Sequence, residues 1–283
     1  MRYKLLALDM DGTVLAPDTT LTETNIAAIN QALEVGVQVV FCSGRCVAEV
    51  KPYTDLFPGM QYAICENGSY VLDLKTGEYI DYRGLDRSLA DRIMREAEHR
   101  DLLIQMGANG KYYMQDWSLE RLAEFGLEKY GALMEETAEF VHDLVAFYRQ
   151  FDGQVSKINF YCTSHEERME IIGLLQAEQL PLDYVCGLAD NIEMISARAG
   201  KGAGLSALCA HLHLDAEQVM AVGDNNNDLS MLEAAGLAIA MGNAVPEVKA
   251  ICDEVTEDNA HDGVAVAIRK YILSKWQSQN GHP

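Results

Sequence analysis

A chain of 283 residues with a formal net charge of -21 is long enough to bury one large core or two smaller ones, and it lacks the basic footprint that nucleic acid or an anionic membrane surface requires. Six prolines and no low-complexity run argue against a long disordered linker. Strand-like residues begin almost at once, with no basic and apolar leader and no run of membrane-spanning length, so a cytoplasmic location is the expectation.

The first stretch organises the rest. Tyr3 to Leu8 is an almost unbroken apolar run, the pattern of a strand covered on both faces in a parallel sheet. It ends in Asp9-Met10-Asp11-Gly12-Thr13. Side chains two apart on an extended chain leave on the same side, so Asp9 and Asp11 are predicted to share one space at the carboxyl end of that strand. Open α/β sheets bind ligands at that edge. Gly12 supplies a turn, and the Thr13 hydroxyl can hold it. Two carboxylates this close repel unless a cation or a shared proton lies between them, and an oxygen-rich, thiol-free set suits magnesium. Taken alone, Asp-Met-Asp-Gly also reads as a solvated turn.

Thr22 caps a predicted helix through Ile26, Ile29 and Leu33, which Gly36 stops. Val37 to Cys42 reads as the next buried strand and ends in Ser43-Gly44-Arg45, where a hydroxyl and free amides meet a helix start, a recipe for holding phosphate or simply a turn. Tyr62 to Cys65 is a third strand, followed by Glu66-Asn67-Gly68 and a hairpin of Tyr70 to Leu74 with Glu78 to Tyr82.

Beyond Gly84 the βα rhythm breaks. A helix from about Ser88 to His99 precedes a strand, Leu102 to Met106, and an Asn109-Gly110 hairpin to Tyr112 to Met114. Helices are predicted around Leu119 to Tyr130 and Phe140 to Phe147. A strand at Lys157 to Cys162, a helix from His165 to Ala177, and edge-like strands near Tyr184 and at Ile192 to Ile195 follow. Mixed hairpins and helices mark an inserted domain of roughly residues 84–195.

The rhythm returns with a helix opened by Lys201-Gly202, where the lysine is either solvated or within reach of a ligand across the strand ends. Val219 to Val222 is a buried strand ending in Gly223-Asp224-Asn225-Asn226-Asn227-Asp228, a second acidic cluster. Its alternation imitates a calcium loop, but Leu229 and Ala235 stand where glycine and glutamate are needed. Asp228 is also a candidate helix N-cap. A strand from Leu237 to Ala240 and helices around Pro246 and from Val264 to Trp276 complete the layer. The seven cysteines, Cys42, Cys46, Cys65, Cys162, Cys186, Cys209 and Cys252, form no close metal-binding pairs, and most sit among apolar neighbours and read as small reduced core residues. An anionic substrate would face a repulsive field, so its site must gather metal, lysine or helix N-termini.

Asp9/Asp11, Ser43/Gly44, Lys201 and Asp224/Asn227/Asp228 come in order at comparable positions of one βα pattern. Together they resemble the haloacid dehalogenase superfamily, whose motifs are Asp-x-Asp-Gly-Thr, a strand-terminal Ser or Thr, a Lys, and Gly-Asp-x-x-x-Asp. The insertion and the Gly-Asp-Asn-Asn-Asn-Asp-Leu-Ser-Met-Leu wording resemble the Cof-like sugar-phosphate phosphatases with a large α/β cap. The resemblance implies an α/β fold: a Rossmann-like parallel-sheet core of residues 1–83 and 196–283 with an inserted α+β cap, 84–195, that closes over the strand ends. It implies Asp9 as nucleophile, Asp11 as general acid and base, and Lys201, Ser43, Gly44, Asn227 and the Met10 segment around phosphate. Magnesium is implied on the Asp9 and Asp224 carboxylates and the Asp11 main-chain carbonyl, with Thr13, Arg45, Asn67 and Asp228 supporting. The expected partner is a small-molecule phosphate ester, with no nucleic acid and no membrane, and the acidic surface leaves the oligomeric state open. A phosphomutase of the same superfamily fits the motifs too. A receiver-like phosphoaccepting switch fits less well, because Asp11 is useful chiefly for cleaving a phosphoenzyme, and the full set of acids speaks against a non-catalytic relative. Cap residues Tyr112, Tyr113, Lys157, Asn159 and Tyr161 are candidates for setting specificity.

Overall fold

The computed structural model describes residues 2–185, 190–274 and 276; Cys186 lies outside the described residues. Its contacts divide the chain into two units, one of Met1–Arg45, Val50–Tyr82 and Gly200–Pro283, the other of Cys46–Glu49 and Arg83–Ala199. Where the expectation was 84–195, the second unit starts at Arg83, runs on to Ala199 and includes Cys46–Glu49.

In the first unit, β1 (Leu5–Leu8) is fully buried along its length, as its unbroken apolar run demands. Helix α1 (Glu23–Glu34) starts where the Thr22 hydroxyl accepts the Asn25 amide at 3.1 Å, and the chain turns out of it at Gly36, whose φ is +87°. Its buried face is Asn25, Ala28, Ile29 and Ala32, with the predicted Ile26 and Leu33 half-buried at its margins. Strand β2 (Gln38–Cys42), helix α2 (Val47–Thr54), of which Val50–Thr54 belong to this unit, strand β3 (Tyr62–Cys65) and the hairpin of β4 (Tyr70–Asp73) and β5 (Tyr79–Tyr82) follow.

The inserted unit runs α3 (Arg87–Ala97), β6 (Leu103–Ala108), β7 (Lys111–Gln115), α4 (Gly131–Thr137), β8 (Glu139–Val141), α5 (Leu144–Gln150), β9 (Val155–Tyr161), α6 (His165–Ala177), β10 (Leu182–Val185) and β11 (Asn191–Ser196). Its sheet has the order β10-β11-β9-β6-β7-β8. The β6–β7 turn is Asn109-Gly110 with φ of 53° and 77°, the left-handed pair that a tight hairpin needs. On one face, Ile104, Met106, Ile158 and Phe160 pack with Ile93 and Met94 of α3 and Ile171 and Leu175 of α6. Three expectations are corrected. Phe140 lies on β8, which pairs in parallel with β7, and does not begin a helix; the segment Ser118–Phe125 is 3-10 turns. Ile192 to Ile195 belongs to an interior strand, since β11 pairs with both β10 and β9.

The chain then forms α7 (Lys201–Leu212), β12 (Val219–Gly223), α8 (Leu229–Glu233), β13 (Leu237–Ala240), α9 (Pro246–Ile251), β14 (Glu254–Val255) and α10 (Gly263–Ile268), the last running into a π turn, Arg269–Leu273. The core sheet has the order β14-β13-β12-β1-β2-β3-β4-β5, parallel from β14 through β3 and antiparallel at its hairpin edge. Buried Asn25 is satisfied from both sides: it donates to the Val14 carbonyl at 3.2 Å and accepts the Ala265 amide at 3.0 Å. Leu8 is in register with Val222 on one side and Phe41 on the other. Three adjacent parallel strands, β12, β1 and β2, therefore deliver their next residues, Asp224, Asp9 and Ser43, to one edge.

Candidate active site

The strand ends put chemistry where the sheet has run out of backbone partners. Asp9 still donates its amide to Val222 at 3.1 Å, so its carboxylate is held by the last rung of the sheet. That carboxylate is buried, and its Oδ1 accepts the Lys201 ammonium at 2.5 Å. The same Nζ donates to Asp228 Oδ1 at 2.5 Å. Lys201 is fully buried at the first position of α7, so it is not the solvated residue that its glycine neighbours also allow. Burial opposes its charge, but the carboxylates of Asp228 and Asp9 outweigh that and hold its pKa above the ordinary lysine value.

Asp228 does not cap α8 with its side chain. Its Oδ2 accepts the amides of Asp224 and Asn225 at 2.9 and 3.0 Å, folding the acidic loop around itself. With two amides and an ammonium already on it, this carboxylate is committed within the protein. Asp224 accepts the Thr13 hydroxyl at 3.0 Å, which fixes one side of the acid to the turn after β1.

Asp9, Asp224 and Asp228 bring ligand oxygens within 4.8 Å of one another. Burial, then the Asp228 charge, pushes Asp9 well above the ordinary carboxylate range. The same causes, in the same order, raise Asp224 to about 6. With their oxygens within 4.8 Å, the Asp9 and Asp224 carboxyl groups stand as two acids do when a proton or a cation lies between them. A hard divalent ion such as magnesium fits this donor set: all oxygen, no sulfur, and two carboxylates whose repulsion a cation would relieve.

The Asp11 carboxylate departs from the alternation argument. Strand β1 ends at Leu8, and Asp11 lies in a turn bridged to Leu15, so its side chain does not join the Asp9 cluster. It is bound instead by Arg45, with Nε to Oδ2 at 2.8 Å and NH2 to Oδ1 at 2.6 Å. The Met10 side chain is fully buried, so a phosphate contact at that position rests on the main chain.

Ser43 follows β2, and its hydroxyl accepts the Arg45 amide at 3.2 Å. Its main chain exchanges with two neighbours: the amide goes to Ile64, and the carbonyl accepts the Asn67 amide at 2.9 Å. Glu66, Asn67 and Gly68 form a buried left-handed turn with φ of 49°, 56° and 81°. Consecutive positive φ at non-glycine residues is strained backbone, kept only where its surroundings impose it. Asn67 Oδ1 accepts from the Asn227 side-chain Nδ2 at 3.1 Å, and its carboxamide lies against the Cα of Gly44. The core site residues thus fall into two hydrogen-bonded networks, Asp9–Lys201–Asp228–Asp224–Thr13 and Asp11–Arg45–Ser43–Asn67–Asn227, joined by the main chain from Asp9 to Thr13.

Asn243 belongs to the first of these as well and escaped the sequence reading. Three residues beyond β13, it donates to the Gly12 carbonyl at 2.8 Å and lies 3.5 Å from Asp224 Oδ2, while its own Oδ1 accepts the Asn259 amide. The available signal was positional, since it follows the carboxyl end of a parallel strand as Asp9, Ser43 and Asp224 do.

In the inserted unit the candidate specificity residues divide between the two faces of the sheet. Tyr113 joins the helix-covered core. Lys157, Asn159 and Tyr161 alternate onto the other face with Tyr112: Lys157 pairs with Glu193 at 2.9 Å and stands over the Tyr112 ring, and the side-chain Oε1 of Gln105 accepts from Asn159 Nδ2 at 2.8 Å and the Tyr161 hydroxyl at 3.1 Å.

A parallel sheet that gathers acids, a charge-locked lysine and a hydroxyl at adjacent strand ends defines an enzyme that works on phosphate esters. The particular family follows from comparison with known proteins. The model of the haloacid dehalogenase-like hydrolases matches residues 6–268, and the chain belongs to that family, as a Cof-like phosphatase. Phosphatase YwpJ of Bacillus subtilis is 28% identical over 286 residues, covering 95% of this chain and 100% of that one. Pyridoxal phosphate phosphatase YbhA of Escherichia coli is 26% identical over 278 residues, covering 96% and 100%. A solved haloacid dehalogenase-like hydrolase from B. subtilis superposes with a TM-score of 0.80 at 27% identity, covering 95% of this chain and 100% of that one.

Proposed function

We propose that this phosphatase is magnesium-dependent, that it hydrolyses small phosphate monoesters, sugar phosphates among them, and that it does so through an aspartyl phosphate on Asp9. The observation that carries the reading is the Asp9 carboxylate itself: buried at a strand end, steadied on one oxygen by Lys201, and facing Asp224.

In this reading an Asp9 oxygen attacks phosphorus in line, and the bond from phosphorus to the ester oxygen breaks. Asp11 gives its proton to the departing alkoxide, then takes one from the water that attacks the phosphoenzyme, so Asp9 and Asp11 both return to their starting forms. Ser43, the Gly44 amide and Lys201 gather the transferring oxygens, and Asn227, held by Asn67, completes that grip. The residues that would hold magnesium are Asp9, Asp224 and the Asp11 main-chain carbonyl, and the ion would supply the positive charge that lets one anion approach another. The partner is a small molecule, with no nucleic acid or membrane, and the expected location stays cytoplasmic. In support, the composition is acidic, and no helix among the described residues is long and apolar enough to cross a membrane.

Phosphate release from a panel of esters, with magnesium and with EDTA, tests the reading, with Asp9→Asn run alongside. Magnesium-dependent release by the wild type and none by the variant is the expected result. Release by Asp9→Asn would remove the nucleophile, and sugar-phosphate isomerisation without net release would favour the mutase.

A further inference from the structure

Among the acids of the site, Asp11 is the one whose side chain stands half in water, at 45% exposure, so packing does not set its direction. Arg45 does. Two parallel bonds, Nε to Oδ2 at 2.8 Å and NH2 to Oδ1 at 2.6 Å, grip both carboxylate oxygens and fix the plane of the group. Exposed ion pairs between mobile side chains fix little, because each partner keeps its freedom. This pair is different because Arg45 is itself only 8% exposed and is anchored along its length. Its amide donates to the Ser43 hydroxyl at 3.2 Å, and its carbonyl accepts the Glu66 amide at 2.9 Å. Its guanidinium carbon lies 5.4 Å from the centre of the Tyr53 ring, and Tyr53 in turn donates to the Thr19 carbonyl at 3.2 Å.

We propose that Arg45 is a positioning residue for proton transfer: it aims the Asp11 carboxyl group at the ester oxygen and ties that aim to the loop carrying Ser43. The inference rests on the reading of Asp11 as general acid and base. One residue thus couples the phosphate grip, through its main chain, to the acid that serves the leaving group, through its side chain. Misaiming that acid slows the breaking of the bond to a poor leaving group, which needs a proton as it departs, far more than to a good one, which leaves as a stable anion.

The experiment measures single-turnover release of phenol from phenyl phosphate and the burst of p-nitrophenol from p-nitrophenyl phosphate, in the wild type, Arg45→Gln, Arg45→Lys, Asp11→Asn and the double variant Asp11→Asn/Arg45→Gln. Arg45→Gln is expected to slow phenol release roughly tenfold to a hundredfold and the p-nitrophenol burst by no more than about threefold, with Arg45→Lys between it and the wild type. In the Asp11→Asn background the same substitution is expected to cost nothing more, because residues that act through one group are not additive. Equal losses on both substrates, or additive losses in the double variant, overturn the proposal, since Arg45 would then act on phosphate or on the fold. Should Arg45→Gln not fold, Arg45→Lys carries the same comparison. Asp11→Asn showing no leaving-group dependence would instead overturn the acid–base reading on which the proposal stands.

Discussion

Gly68 lies so close to Gly200 that a methyl group on it would meet the Gly200 carbonyl oxygen well inside contact distance. The left-handed turn after β3 is thereby a wedge against the start of α7, one residue before Lys201. Gly68→Ala is expected to combine a forbidden φ with a backbone collision, destabilising the protein by about 2–4 kcal/mol and reducing turnover by displacing Lys201. Gly77 is the control, because its φ of +76° is similar but nothing lies within 4 Å of its absent methyl. Gly77→Ala should cost about 1 kcal/mol and leave turnover unchanged. Denaturant midpoints and kcat for the two variants check this; equal effects would refute the wedge.

Lys201 neutralises two buried carboxylates at once. Lys201→Met should abolish turnover and lower stability by roughly 3–5 kcal/mol at neutral pH, since removing one partner strands the others. The loss should shrink as pH falls and the stranded acids take up protons. Unfolding measured at pH 7.5 and pH 5 checks the sign.

The raised pKa values of Asp9 and Asp224 make ion binding pH-dependent. An acid whose folded pKa lies above its unfolded value contributes stability that is complete below the unfolded value and lost as pH rises through the folded one. For Asp224 that loss spans from 3.8 to about 6. A cation bound to the ionised pair should reverse it. Magnesium is therefore expected to raise Tm relative to EDTA by more at pH 7.5 than at pH 5, and an increment independent of pH would speak against the Asp9/Asp224 site.

Asn243 braces Asp224 and the Gly12 carbonyl without offering a charge of its own. Asn243→Ala should raise the magnesium concentration for half-maximal activity by about tenfold while leaving the fold intact. A magnesium titration of turnover, with circular dichroism as control, tests it.

How much of this was legible in the sequence depends on how local each determinant is. Helix α1 was readable because Thr22 and Gly36 announce its ends within the chain itself. The Asn109-Gly110 hairpin and the strand from Leu237 to Ala240 carried equally local signals. The two-residue strand β14 and the three-residue β8 are shorter than any period, so only their sheet neighbours define them. The positions of Asp9, Ser43 and Asp224 followed from counting to the ends of apolar runs. The direction of Asp11 did not, because it is decided by Arg45, 34 residues away, once the strand has stopped. Asn25 shows the same limit: its burial is comprehensible only with Ala265, 240 residues on, supplying a donor. Glu66 adopts a left-handed φ of 49° that its residue type does not announce, whereas Asn67-Gly68 carries the turn signal of its pair.

The enclosure of Lys201 gives the molecule an internal reporter. An ammonium with no surface in water and two carboxylates upon it is kept protonated, and only an unprotonated amine attacks an acylating reagent. Solvent-facing lysines such as Lys51, whose side chain is 63% exposed, should be labelled early, and Lys201 last, when the sheet edge opens. The order of labelling along the chain would therefore read the integrity of the strand-end cluster by mass alone, in a preparation that has never met a phosphate ester.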